Sequence, residues 1–202
     1  MKRGILFVVS GPSGAGKGTI CKELVRRTGI ALSVSMTTRP PRRSEAEGRE
    51  YIFVSREAFM EKISRNAFLE YAEVYGNYYG TPAESVRDIL DSGGDVVLEI
   101  DVQGALKVKA SCPESVSVFI LPPSMGELRK RITARGTESD ASISLRLGET
   151  LKEIRRVGEY DYCIVNDRLD EAVDRLAAIV VAENSRAGRG LRELVESYME
   201  EM

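Results

Sequence analysis

The chain has 202 residues, 43% of them hydrophobic and 30% charged, with a formal net charge of −2. That suits one globular domain with insertions, and it leaves no global charge to attract nucleic acid or a membrane surface. Histidine is absent, which removes the commonest general base and the commonest zinc ligand.

The three cysteines, Cys21, Cys112 and Cys163, are widely spaced in apolar patterns and form no CxxC pair. They read as buried thiols of a reducing, cytoplasmic protein. No apolar stretch is long enough to span a bilayer. The first apolar run is short and leads straight into glycines, unlike a secretory leader.

In chain order, the run Ile5–Val9 predicts a buried strand, and residues 11–19 read Gly-Pro-Ser-Gly-Ala-Gly-Lys-Gly-Thr. A helical pattern with Ile20, Leu24 and Val25 on one face follows. Strand, glycine-rich turn and helix are the context of a phosphate-binding loop. Gly11, Pro12, Ser13, Gly14, Ala15, Gly16, Lys17, Gly18 and Thr19 would present backbone N–H groups, a helix N-terminus and one ammonium to anionic oxygens. The residue directly after the lysine is usually Ser or Thr; here it is Gly18, and the hydroxyl comes one place later at Thr19.

Gly29 ends the helix, and residues 30–34 predict a short strand. Residues 35–43 follow, with Arg39, Arg42 and Arg43 around Pro40 and Pro41. The prolines hold this loop extended, and the arginine forks suit a phosphate, so we read a second anion site here. Residues 44–50 form a polar turn, 51–54 a strand, and Ser55 caps a helix to about residue 65 with Phe59 and Ile63 inward.

Residues 68–75 and 78–80 read as a hairpin around Gly76-Asn77. Five of the eight tyrosines lie between 51 and 79, and an aromatic mini-core accounts for Tyr71 and Tyr75. Thr81-Pro82-Ala83-Glu84 has the spacing of a capping box, with Thr81 as the cap of a helix that ends at Gly93-Gly94. Residues 95–101 predict a buried strand ending in Asp101, where a parallel sheet would direct a carboxylate at a ligand.

A helix begins at Gly104, and residues 116–121 form a fourth buried strand. A capped helix runs from Ser124 to Arg135-Gly136, then a polar stretch from 137 to 144, then Arg146 on a new helix; this reads as a mobile flap carrying arginines. Residues 162–166 form a fifth strand, 169–183 a long amphipathic helix and 190–202 a last helix. Strands alternating with helices imply α/β wrapping around a parallel sheet. Two anion sites, an arginine flap and no histidine point to phosphoryl transfer, which needs alignment and charge neutralisation more than covalent participation.

The stretches GPSGAGKGT, SVSMTTRPPR, EGREYIFV, FLEYAEVYGNYYGTP, VVLEIDVQGA, RITARGTESDASISLRL and CIVND together resemble the guanylate kinases, over about residues 4–185. GNYYG and IDVQG point to this family rather than to adenylate kinases. The resemblance implies a P-loop NTPase-type parallel sheet flanked by helices, with a small β-rich monophosphate-binding insertion and a helical lid. It implies a core of residues 1–34 and 83–202, a GMP-binding insertion at 35–82 and a lid at 135–150. The implied reaction is ATP + GMP giving ADP + GDP with Mg²⁺.

By the same resemblance, Lys17 and its loop hold ATP phosphates, with Arg131, Arg135 and Arg146 closing from the lid and Asn166 near the adenine. Arg39, Arg42, Tyr51 and Tyr79 hold the GMP phosphate, and Ser35, Glu70, Thr81 and Asp101 line the guanine pocket. Lys17, Arg39, Arg135 and Arg146 are the expected catalytic cations. With Gly18 after the lysine, Mg²⁺ is expected mostly on nucleotide oxygens and water, helped by Thr19, Glu99 or Asp101. A non-catalytic scaffold of guanylate kinase type, or a kinase for another monophosphate or a phosphorylated sugar, is the alternative. A homo-oligomer is left open.

Overall fold

The structure, a computed structural model, describes residues 3–42, 45–74, 76–134, 140–187 and 191–201; of residues 134, 140–146 and 191–194 it describes the backbone alone. The chain begins β1 (Leu6–Ser10), α1 (Lys17–Thr28), β2 (Ala31–Leu32), β3 (Met36–Thr37), β4 (Ile52–Phe53) and α2 (Arg56–Ser64). It continues with β5 (Phe68–Val74), β6 (Asn77–Pro82), α3 (Ala83–Asp91), β7 (Val96–Glu99), α4 (Val102–Ser111) and β8 (Val116–Leu121). The remainder is α5 (Met125–Ala134), α6 (Asp140–Ile154), a short 3₁₀ turn (Val157–Glu159), β9 (Tyr162–Val165), α7 (Leu169–Asn184) and α8 (Leu191–Glu200).

Five strands form a parallel sheet in the order β2-β7-β1-β8-β9. β1 lies at its centre, and every residue of it is buried. Phe7 and Val9 pack with Ile20 and Leu24 of α1 and with Val173 and Leu176 of α7. Leu6 and Val8 point the other way, into Val86 and Leu90 of α3 and Val108 of α4. An unbroken apolar run is what a strand covered on both faces requires. The strand ends are thereby brought side by side at one edge, where the loops after β1, β7 and β9 meet.

A second sheet has the order β4-β3-β6-β5, with β3 and β4 parallel and the other pairs antiparallel. The chain crosses between the sheets within three residues: Ser33 N donates to Val97 O in the first, and Ser35 O accepts from Ile52 N in the second. That transit is why the predicted strand at 30–34 shortens to Ala31–Leu32.

Three further expectations change. Thr81 is not a helix cap: β6 runs through Pro82, which takes the cap position with no side-chain bond, because Thr81 stays paired with Glu70 across the hairpin. Tyr71 is 39% exposed, with its ring beside the Lys107 ammonium and tilted against Phe68 at 6.4 Å, so it borders a mini-core centred on Phe59, Phe68 and Tyr78; Tyr75 lies outside the described residues. Of the cysteines only Cys21 is buried; Cys112 is half-buried and Cys163 exposed. Cys163 sits on the outermost strand, where Ile164 faces the core and its neighbours face out.

Because Phe7 is fully buried at the centre of the sheet, Phe7→Ala is expected to cost about 3–5 kcal/mol of folding stability. A lower denaturant midpoint at unchanged slope would show it.

Candidate active site

The turn after β1 is built on a backbone that few residues tolerate. Gly16 caps α1 with φ 95° and ψ 16°, a conformation that L side chains rarely adopt. A Cβ there would also overlap the amide nitrogen of Asn166. Asn166 follows β9 and is 7% exposed; its Nδ2 donates to Ala15 O at 2.7 Å. Its own carbonyl accepts from Arg131 Nη2 at 3.3 Å, while Arg131 Nε donates to Glu127 at 3.0 Å. Asn166 therefore props the loop from beneath and ties it to α5.

Lys17 opens α1, and its Nζ folds back to donate to Gly11 O at 2.6 Å and Pro12 O at 3.2 Å. The ammonium thus stands over the loop with the free N–H groups of the helix start beside it, an arrangement suited to phosphate oxygens. Ser13 and Thr19 are exposed, and Gly18 is half-buried.

The arginine loop after β3 forms a second cationic cluster. Arg39 Nη2 meets both carboxylate oxygens of Glu45 at 2.9 Å, and Nη1 donates to Pro40 O at 2.8 Å. Its guanidinium lies 5.5 Å from the Tyr51 ring centre, and Tyr51 meets Tyr79 edge-on at 5.8 Å. The Arg42 side chain is exposed, while its backbone N–H donates to Glu45 Oε2 at 2.8 Å. Burial works against the Glu45 charge, yet the Arg42 N–H and the Arg39 guanidinium hold its carboxyl below the usual range. The sequence reading passed over Glu45 as part of a polar turn. Its placement three and six residues after the two arginines was the available signal.

A third cluster lies where β5, β6 and α4 meet. Glu70 is 6% exposed and its Oε1 accepts from Thr81 Oγ1 at 2.8 Å. Asp101 caps α4, accepting from Gly104 N at 2.9 Å, so that helix starts two residues before the predicted Gly104. Burial pushes the Glu70 carboxyl up to about 7; the Thr81 hydroxyl opposes the shift and the Asp101 charge adds to it. Ser35 is half-buried at the entry to β3.

Glu99, exposed at the end of β7, stands against α1: its Oε2 would lie 3.1 Å from a Cβ on Gly18. Burial raises the Tyr51 hydroxyl to about 12, and the Glu99 charge adds to that. Glu153 of α6, not anticipated from the sequence, is half-buried. Its carboxyl is raised by burial, with the Lys17 charge opposing. Arg135 lies outside the described residues. Arg146 falls within α6, but its side chain is outside the description.

The structure thus brings Lys17, Asn166 and Arg131 together, groups Arg39 with Tyr51 and Tyr79, and joins Glu70, Thr81 and Asp101. Phosphate loop, cationic clamp and buried carboxylate can together hold two phosphorylated ligands, one of them through a base bearing paired donors.

The sequence model of the guanylate kinase family matches residues 3–183. A guanylate kinase of Clostridium acetobutylicum is 54% identical over 97% of this chain and 94% of its own length. That of Symbiobacterium thermophilum is 51% identical over 98% and 94%. The crystal structure of guanylate kinase from Anaplasma phagocytophilum superposes with a TM-score of 0.82 at 40% identity, covering 98% of this chain and 96% of that one.

The burial of Glu70 makes a pH prediction. Its folded carboxyl titrates near 7 against 4.5 when free, so between those values the native state binds the extra proton. The stability contributed by the neutral carboxyl is complete below about 4.5 and is lost as pH rises through about 7, on the order of 3 kcal/mol. Denaturation of the wild type and of Glu70→Gln from pH 4.5 to 8 should show the wild type losing ground to the variant. A pH-independent difference would contradict burial as the cause.

Proposed function

The chain belongs to the guanylate kinase family, and on that premise we propose that it transfers the γ-phosphoryl group of ATP to GMP, giving ADP and GDP. The observation that carries the reading is the buried Glu70 carboxylate beside Thr81 and Asp101, set apart from the phosphate loop. Guanine offers N1–H and its exocyclic amine as adjacent donors, and one carboxylate accepts both. Adenine has no such pair and would leave the buried carboxyl without its donors; sites built this way discriminate by roughly 10⁴–10⁵. As the base enters, its donors favour the ionised carboxyl, so a proton leaves Glu70.

In this reading Arg39, Arg42, Tyr51 and Tyr79 hold the acceptor phosphate, and the loop with Lys17 holds the donor phosphates. Glu45 keeps the Arg39 fork in place. Arg131, Arg135 and Arg146 close from a lid at 135–150 and exclude water. Residues 35–82 act as the GMP-binding insertion on a core of 1–34 and 83–202. Asn166 contributes to the ATP side chiefly by supporting Ala15.

The residues suit a magnesium ion delivered with the nucleotide. Among the described residues no group of three or more His, Cys, Asp or Glu could hold a metal alone. Magnesium, however, takes one or two carboxylates and keeps phosphate oxygens and water. Glu99 beside Gly18 is the first candidate, with Thr19 and Asp101 nearby in the chain. The ion would supply charge neutralisation on the donor phosphates. A cytoplasmic setting accords with these substrates; among the described residues, no helix is long and apolar enough to cross a membrane.

A coupled assay of ADP release with GMP, dGMP, AMP and dTMP as acceptors tests the proposal. Turnover with GMP well above AMP is expected. Equal rates with the two would remove the role given to Glu70, and no turnover with any would leave a binding scaffold. Lys17→Ala should keep the fold, since its glycines shape the loop, and should lower kcat by at least about 10²-fold.

A further inference from the structure

Gly104 is the third residue of α4, buried, with ordinary helical geometry. Conformational freedom therefore does not explain the glycine, and alanine would be the better helix former. Its surroundings do explain it. A Cβ on Gly104 would lie 2.6 Å from Glu70 Oε2 and 3.0 Å from Glu70 Cδ, both inside van der Waals contact. The other neighbour, Ile100 Cδ1, stands at an ordinary 3.5 Å.

The helix cannot easily draw back, because Ala105 and Val108 pack it against Leu6, Val8 and Leu98 of the sheet. Nor is Glu70 free to swing away while its Oε1 accepts from Thr81 at 2.8 Å. The carboxylate is thus clamped between a hydroxyl on one side and the bare backbone of a helix start on the other. That first turn also carries the partial positive charge that favours an ionised carboxyl.

We propose that Gly104 is a positioning residue for base specificity: its missing side chain lets α4 close on Glu70 and fixes the carboxylate in the one orientation that accepts the N1–H and 2-amino donors of a guanine. This rests on the functional reading above and names the residue that tunes it. The ligand class is a purine monophosphate carrying both donors. Inosine monophosphate, which keeps N1–H and lacks the 2-amino group, is the comparison substrate.

The test measures Gly104→Ala, Glu70→Gln, Glu70→Asp and the double variant Gly104→Ala/Glu70→Asp with GMP, inosine monophosphate and ATP, alongside melting temperature. Gly104→Ala should fold with a lowered melting temperature, because the added methyl overlaps Glu70. Its KM for GMP should rise tenfold or more with KM for ATP unchanged, and its preference for GMP over inosine monophosphate should collapse. In that background Glu70→Asp, one methylene shorter, should restore part of the preference, although alone it should reduce it.

A KM for GMP within twofold of wild type with the preference intact would overturn the proposal. So would an equal loss for both acceptors, which marks a merely structural role. If Gly104→Ala fails to fold, refolding in the double variant supports the steric clamp, and its absence overturns it. If Glu70→Gln is damaging while Gly104→Ala is neutral, this inference alone falls. If the wild type does not use GMP, or Glu70→Gln leaves the preference unchanged, the functional reading falls with it.

Discussion

The bond from the Asn166 amide to the carbonyl of Ala15 holds the turn on which everything else converges. A loop that presents N–H groups inward must turn its carbonyls outward, and a buried carbonyl without a partner is costly. Asn166 supplies that partner from just past the last strand of the sheet, and only a glycine at 16 leaves room for it. The same residue accepts from Arg131 of α5. Loop, sheet edge and α5 are therefore tied together through this one residue.

Around this unit the charges are sorted by task. In the proposed reading, cations gather where phosphates would lie: Lys17 over the loop and Arg39 among the tyrosines. Each is already committed in the free protein, Lys17 to loop carbonyls and Arg39 to Glu45. Neither side chain has to search for its geometry when substrate arrives, so less conformational entropy is lost on binding. The carboxylate of Glu70 is kept in the opposite condition, buried and reluctant to ionise. On the proposed function its partner is the base, and its burial would turn a missing donor into a penalty against the wrong substrate.

A further acidic residue completes the pattern. Glu99 stands against the helix start at Gly18, and its charge adds to the raised Tyr51 hydroxyl. A larger residue after Lys17 would crowd Glu99.

The amino-acid sequence by itself determined the parallel sheet, the phosphate loop and the arginine loop. Each is written in contiguous residues: an apolar run buried on both faces, glycines at fixed spacing, prolines that hold a chain extended. It also placed Glu70, Thr81 and Asp101 in one pocket, but only through resemblance to a family, since thirty residues separate them along the chain. Tertiary structure alone decided the rest. Thr81 turned from helix cap to Glu70 donor because strand pairing set it opposite that carboxylate. Asn166 became a strut, Glu45 a clamp and Gly104 a spacer, because contacts between residues far apart in the chain are fixed by how layers pack. Cys163 and Tyr71 came out exposed for the same reason: an apolar pattern says that a residue belongs to a strand, and only the neighbouring layer says which face is covered.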